Sequence, residues 1–296
     1  MPSVSVLIPS LNASKTIRAA ICTTLRSLPR DSEVIIINDG STDNTSEIVS
    51  GIMKSDRRVR LIESSTSVGI SQSLNFGLKS SDSLFVARLD ADDVTLPGRF
   101  FIQKNHLESQ KLDFAFTTAI VFGDEFRVMK PKYITPRLAP FLLSVYNPFI
   151  HSTLFCRRKS IDSLGGYNDV LSEDYDLWLR AATHKLAIAR HPIPTVLYRR
   201  HGGQISQNED WINATSKNRP LNKSHDNLQI SLGIEAPNIL ATLRSLELKE
   251  EDSQKLNEYA GLLLDVASGL NKHEYRYLKS VIHHRLESRL RGAIHA

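Results

Sequence analysis

Glu33-Val34-Ile35-Ile36-Ile37-Asn38-Asp39-Gly40-Ser41-Thr42-Asp43 opens as a β-branched run and closes as a polar cluster, the pattern of a buried strand that ends in a tight loop. A helix follows, with Asn44 as its N-cap and Glu47 at the capping-box position. The same unit recurs on both sides. Upstream, residues 4–8 read as a buried strand, and residues 14–28 as a helix with Ile17, Ala20, Ile21, Thr24, Leu25 and Leu28 on one face. Downstream, residues 59–62 give a third strand, 71–78 a third helix, and 84–89 a fourth strand running into Asp90-Ala91-Asp92-Asp93. Repeated βα units of this length require a mostly parallel sheet flanked by helices. On such sheets ligands sit beyond the carboxyl ends of the strands. Three polar clusters fall there: Pro9-Ser10-Leu11-Asn12, Asn38-Asp39-Gly40-Ser41 and the acidic group at 90–93.

Further along, the pattern predicts a helix over 100–109, shorter strands around 114–122, and an apolar stretch ending at Phe149-Ile150-His151. Ser172 opens an amphipathic helix whose inner face takes Leu171, Tyr175, Trp178 and Ala182, leaving Glu173 and Asp174 in the first turn. After Gly202-Gly203 strand signals stop, and residues 239–248, 256–270 and 275–290 read as helices. The expected organisation is therefore an α/β domain over 1–206 with a helical C-terminal extension over 207–296.

The chain has 296 residues, of which 41% are hydrophobic and 23% charged, so it reads as an ordinary soluble globule. No window approaches the roughly 20 apolar residues of a membrane span. The N-terminus reads directly as a strand rather than a leader, which makes the cytosol the expected compartment. Cys22 and Cys156 stand in apolar settings outside any metal-ligand spacing and read as two buried thiols. The net charge of +5 suits an acidic partner. No basic patch with interleaved aromatics is present, so nucleic acid is not an expected partner.

Asp39, at a strand end before a glycine, could accept hydrogen bonds from a base imide or ribose, although taken alone a plain helix-entry turn is the better reading. Asp90, Asp92 and Asp93 place three carboxylates together at a cost in repulsion that a cation would offset. Mg²⁺ or Mn²⁺, which take one or two carboxylates plus phosphate oxygens, suit such a group. Taken as alternate residues of an extended segment, Asp90 and Asp92 point to the same side. His201, at the end of the last strand signal, is a candidate further metal ligand, with a solvated loop histidine as the competing reading. His151 reads as a satisfied structural histidine, and Arg88, Arg99 and Arg180 divide evenly between packing and phosphate contact. Glu173 and Asp174 are the candidate general bases, since a helix N-terminus lowers one carboxylate pKa and a neighbouring carboxylate raises another. Dipole complementation alone would also place them there.

Taken together, these pieces resemble a family 2 glycosyltransferase with the GT-A fold, from residue 4 to about residue 206. The ordered set is Val-Leu-Ile-Pro-Ser-Leu-Asn at 6–12, Ile-Ile-Ile-Asn-Asp-Gly-Ser-Thr-Asp at 35–43, Gly69 with Asn75 and Gly77, and Arg-Leu-Asp-Ala-Asp-Asp at 88–93. Pro97 with Arg99, Asn-Pro-Phe-Ile-His at 147–151, Gly-Gly-Tyr at 165–167, Glu-Asp-Tyr-Asp-Leu-Trp-Leu-Arg at 173–180, and Tyr-Arg-Arg-His at 198–201 with Ser206 complete it. The resemblance implies that Pro9, Ser10, Asn12 and Asp39 help bind the nucleotide, commonly a uridine diphosphate. It places Gly69, Asn75, Arg88, Asp90, Ala91 and Asp92 around the nucleotide sugar. Asp92 becomes the metal-bearing member of the Asp-x-Asp motif, with His201 beside it and Mn²⁺ or Mg²⁺ as cofactor. An inverting mechanism with Asp174 as base is also implied.

Leu11 stands where the family often has an aromatic residue, and the Gln-x-x-Arg-Trp signature of processive synthases is absent, so one addition per encounter is expected. The resemblance further implies, as an expectation, an acceptor hydroxyl on a glycan, lipid-linked or protein-linked molecule in cell-surface polysaccharide assembly. Two other readings stand beside this one: a sugar nucleotidyltransferase, for which the first loop lacks the Gly-rich basic character that holds a triphosphate, and a catalytically silent nucleotide- or glycan-binding module. The basic end of the extension, His283, His284, Arg285, Arg289 and Arg291, could rest on an anionic membrane surface.

Overall fold

The computed structural model describes residues 2–202, 209–245 and 250–294; the side chains of 209, 212, 213 and 287–294 are outside that description. Ser206 and the expected boundary at 206 therefore lie outside the described residues. In chain order the elements are β1 (Val4–Ser10), α1 (Ile17–Ser27), β2 (Glu33–Asp39), α2 (Thr45–Met53), β3 (Val59–Ser64), α3 (Ile70–Lys79), β4 (Phe85–Arg88), β5 (Val94–Thr95), α4 (Arg99–Ser109), β6 (Phe114–Gly123) and β7 (Arg127–Val128). They continue with α5 (Ala139–Leu143), β8 (Phe155–Arg157), α6 (Arg158–Ser163), α7 (Glu173–Thr183), β9 (Ile188–Arg200), α8 (Glu209–Ser216), α9 (Arg219–Ser231), α10 (Ile239–Arg244), α11 (Glu250–Val266) and α12 (Lys272–Ile294).

Two compact units result. The first comprises residues 1–134, 149–169 and 186–202; the second comprises 135–148, 170–185 and 203–296. The first unit holds the whole sheet, in the order β3-β2-β1-β4-β8-β6-β9-β5, with β7 on β6. β1 and β2 are buried along their full lengths, which is why both read as unbroken apolar runs. β3, at the edge, buries only Val59 and exposes Arg60 and Glu63. β1 pairs in parallel with both β2 and β4. The chain thus reverses its direction of winding at β1, leaving a crevice at the carboxyl ends where ligands bind. β8 runs antiparallel to β4 and β6, while β6 and β9 are parallel to each other. The carboxyl ends of β1, β2, β4, β6 and β9 therefore share one edge.

Several local expectations change. Residues 114–122 belong to a single long strand, because pairing with β9 continues through an irregularity near Thr117 and Thr118. Cys156 is buried and its thiol pushed up by burial, whereas Cys22 is only half-buried. Asn44 occupies the N-cap position of α2 but its side chain makes no capping bond. Asp43 does that work: its Oδ1 accepts Thr45 N–H at 3.1 Å and its Oδ2 accepts Ser14 N–H at 3.0 Å.

Hydrogen bonds from Thr45 and Ser14, outweighing burial, hold the Asp43 carboxyl down at about 2. Since the folded value lies below the ordinary carboxylate value of about 3.9, the stabilisation is fully present above that pH and lost as pH falls toward 2. Asp43→Ala is expected to cost about 1 kcal/mol at neutral pH. Urea titrations of the two proteins should show the gap shrinking below about pH 4; a gap independent of pH would remove this cap.

The second unit is built on α7, which buries Tyr175, Trp178 and Ala182 as expected, but Leu171 is 37% exposed and lies off that face. Tyr175 Oη donates to Leu143 O at 2.5 Å. Buried Asp176 accepts from Ser224 Oγ on α9 at 2.6 Å and from Arg180 Nε at 2.8 Å. Burial depresses the pKa of His225 to about 4 while its Nε2 lies 3.0 Å from Ser144 O. A reciprocal cap starts α12: Glu274 N–H donates to Asn271 Oδ1 at 3.0 Å, and Asn271 N–H to Glu274 Oε2 at 3.2 Å. The other Glu274 oxygen accepts the Thr135 hydroxyl, and Arg137 Nη2 donates to Gly269 O at 2.6 Å.

Candidate active site

At the carboxyl edge of the first unit, the loops after β1 and β2 are stitched together. Asn12 sits at φ 50, a left-handed conformation asparagine tolerates. Its N–H donates to Ser41 Oγ at 2.8 Å, and its side-chain oxygen accepts Thr42 N–H at 2.9 Å. Pro9 and Ser10 are buried beneath this junction, whereas Leu11 is 52% exposed.

Asp39 anchors a third loop. Its Oδ1 accepts Val68 N–H at 2.7 Å, while Oδ2 accepts Ser67 Oγ at 2.8 Å and Gly69 N–H at 3.0 Å. Burial would raise its pKa, yet these bonds and Ser73 hold the carboxyl below its ordinary value. Gly40, at φ 74, lets this loop approach: a Cβ there would stand 2.8 Å from Ser67 N. Asn75 serves a separate purpose, since its amide exchanges two hydrogen bonds with the Tyr167 backbone, at 2.8 and 2.9 Å.

The acidic cluster follows β4. Residues 90–93 form a turn, with Asp93 N–H donating to Asp90 O at 3.2 Å, rather than the extended segment expected. The turn brings carboxylate oxygens of Asp90, Asp92 and Asp93 within 4.8 Å of one another, with Ala91 packed on the core between the first two. The three are not equivalent. Arg88, buried, grips Asp90 through both guanidinium nitrogens. Ser152 Oγ donates to Asp90 Oδ2 at 2.7 Å and accepts Asp90 N–H at 3.0 Å. Burial opposes ionisation of Asp90, but Arg88 and Ser152 hold its pKa below the usual range.

Asp92 is less well matched: burial and the Asp90 charge push its pKa up, with His201 and Arg199 offsetting only part. Its Oδ2 lies 3.3 Å from His201 Nε2. Burial and Asp90 push Asp93 well above the ordinary range. One Asp93 oxygen accepts Arg199 N–H at 2.7 Å; the other is buried without a hydrogen-bond partner among the described residues. A bare, buried carboxylate oxygen beside a second under-compensated carboxylate and an imidazole is the donor set a hard divalent cation takes. The residues therefore fit the metal the sequence implied.

Ser152 is not singled out by the sequence, and Arg199 stands there only as part of the 198–201 motif without a role of its own. Ser152 stands 62 positions from Asp90, beyond any spacing rule, though it directly follows His151. His151 is buried, with Nε2 2.8 Å from Tyr167 Oη. Arg99 is fully buried against Arg88 O and Gln103, and Arg180 pairs with Asp176. In the second unit, Glu173 and Asp174 occupy the first turn of α7. Asn147 Nδ2 donates to Asp174 Oδ2 at 2.8 Å, giving the asparagine of the 147–151 stretch a function the sequence did not show.

The strand order, with the acidic turn at its ligand edge, is the α/β architecture of the GT-A fold. The profile described as Glycosyl transferase family 2 matches residues 5–165, and the chain belongs to that family. Among its relatives is the Escherichia coli protein WfaP, a UDP-Glc:alpha-D-GlcNAc-diphosphoundecaprenol beta-1,3-glucosyltransferase, 26% identical over 71% of this chain and 82% of the relative. Among solved structures, S. aureus TarS 1-349 in complex with UDP-GlcNAc superposes with a TM-score of 0.62 at 15% identity, covering 99% of this chain and 92% of that one. The mannosyltransferase PcManGT from Pyrobaculum calidifontis, in complex with GDP-Man and Mn²⁺, gives 0.56 at 15% identity, covering 99% and 87%.

Proposed function

We propose that this glycosyltransferase moves a single sugar, with inversion, from a UDP-sugar to a hydroxyl of a glycan, lipid-linked or protein-linked acceptor in cell-surface polysaccharide assembly. The carrying observation is the acidic turn, where Arg88 neutralises Asp90 while Asp92 and Asp93 stay under-compensated. The lipid-linked acceptor printed for WfaP favours that class among the three. Residues 1–206 act as the transferase domain, with 207–296 as its helical extension.

Pro9, Ser10, Asn12 and Asp39 line the nucleotide end, while Gly69, Asn75, Arg88, Asp90 and Ala91 shape the walls around the donor. Asp92 and His201 would hold Mn²⁺ or Mg²⁺, which when bound neutralises charge developing on the departing diphosphate. Asp174, with Glu173 beside it, takes the acceptor proton as the acceptor oxygen bonds to the anomeric carbon and the bond to the diphosphate breaks on the opposite side. Asn147 orients the base. Asn147→Ala should lower kcat about tenfold, as expected for loss of a hydrogen bond to a charged group, with donor affinity unchanged. Steady-state kinetics check this, and a changed donor KM at constant kcat would refute it.

The acceptor would be met at the inner face of the cell membrane. No helix among the described residues is long and apolar enough to cross a membrane. Lys272, Arg276, Lys279 and His283 form one exposed cationic stripe on α12, which supports peripheral contact; the Arg289 and Arg291 side chains lie outside the described residues. The direct experiment screens nucleotide sugars for Mn²⁺-dependent donor hydrolysis by the full chain. Hydrolysis of none of them, together with pyrophosphate release from a nucleoside triphosphate and a sugar phosphate, would overturn the reading.

A further inference from the structure

β6 and β9 run in register with Phe122 opposite Arg199 and Gly123 opposite Arg200. The turn after β6 therefore emerges beside His201, at the edge that carries the acidic cluster. It is firmly held. Gly123 lies at φ 110, and a Cβ there would stand 2.3 Å from Arg200 O, so only glycine permits this close passage. Asp124 N–H donates to Arg200 O at 2.9 Å. Glu125 is gripped by Arg200 Nη1 at 2.6 Å and approached by Arg127 Nη2 at 3.6 Å.

This pinned turn presents two large apolar side chains outward, alongside the exposed Asp124 and Arg127. Phe126 is 78% exposed and Val128 56% exposed. Exposed Lys130 and Lys132 follow, separated by Pro131. Single exposed apolar side chains are ordinary; two large ones at the tip of a braced hairpin, with lysines behind them, are a different pattern. Cores of protein–protein interfaces are depleted in lysine. An interfacial lipid site instead combines an aromatic and an aliphatic side chain in the acyl boundary with lysine stems reaching up to phosphates. The Glu125 charge, which such a surface would repel, is already matched by two arginines.

We propose that the β6–β7 hairpin is a membrane wedge: Phe126 and Val128 enter an anionic lipid surface while Lys130 and Lys132 contact its phosphates, holding the donor edge of the sheet at the membrane. The proposal deepens the lipid-linked acceptor reading. The contact itself needs no turnover, so the two can fail separately.

The test is co-sedimentation of the full chain with vesicles of phosphatidylglycerol and phosphatidylcholine, against phosphatidylcholine alone. Wild type should prefer the anionic vesicles. The double variant Phe126→Ser/Val128→Ser should bind them about tenfold or more weakly, with thermal melting and donor hydrolysis unchanged. Lys130→Glu/Lys132→Glu should weaken binding to the anionic vesicles about tenfold or more, the remaining preference resting on the α12 stripe. Equal binding by wild type and the apolar double variant overturns the wedge, as does absence of wild-type binding. It is also overturned if Arg276→Glu/Lys279→Glu on α12 alone removes all binding, or if the patch proves to hold a second copy, seen as a dimer that the double variant dissolves. Wedge binding with no sugar transfer under any donor would leave this contact standing and sink only the transferase reading.

Discussion

Asp92→Ala is expected to abolish Mn²⁺-dependent donor binding and to lower kcat/KM by roughly 10³-fold or more, the scale on which a bound cation stabilises a departing diphosphate. The basis is the asymmetry of the acidic turn. Asp90 is already matched by Arg88 and Ser152, so it contributes order rather than open ligand capacity. Asp92, beside His201, is the partly buried carboxylate whose charge His201 and Arg199 offset only in part. Removing it should relieve like-charge repulsion in the metal-free protein, so the variant should melt no lower than wild type without metal. With UDP and Mn²⁺ only wild type should gain in melting temperature. Calorimetric titration of UDP with and without Mn²⁺ provides the direct readout. Wild-type-like binding in the variant would remove Asp92 from the metal site.

Asp174→Asn should retain donor affinity and lose roughly 10²–10⁴-fold in kcat, the usual contribution of a positioned general base. The amide keeps the size of the carboxylate and can still meet Asn147, whose Nδ2 lies 2.8 Å from Asp174 Oδ2, but it cannot take a proton. Calorimetric donor titration together with transfer rates separates binding from chemistry. Turnover at the wild-type rate would eliminate Asp174 as the base. Asp174→Asn should also leave the folded protein intact, because buried Tyr175 and Trp178 still fasten α7 to its neighbours.

The parallel half of the sheet was legible because its inner strands are covered on both faces, so Ile35, Ile36 and Ile37 leave no alternation to misread. α9 was not, and the reason lies in its packing: beside Leu221 and Leu228 it buries Asn222, Ser224, His225 and Gln229, a polar inner face with no hydrophobic period to detect. β8 is three residues long and β5 two, too short for any pattern. In the site, the three acids were readable because they are adjacent in sequence, but their grouping depends on a turn that alternation could not foresee. The partnership of Asp90 with Ser152, and that of Asp174 with Asn147, joins residues far apart along the chain. Only the folded backbone makes such pairs neighbours, so neither left a trace in local spacing.

The clasp of Thr135 and Asn271 on Glu274, with Arg137 bound to Gly269 O, makes the C-terminal helices something other than an interchangeable tail. Thr135 and Arg137 open the same 135–148 segment that carries Asn147. Grafting a foreign terminus from another family member would thus unseat the support of the proposed base from a remote point. Chimeras meant to exchange acceptor preference should therefore carry 135–148 and the terminal helices as one cassette.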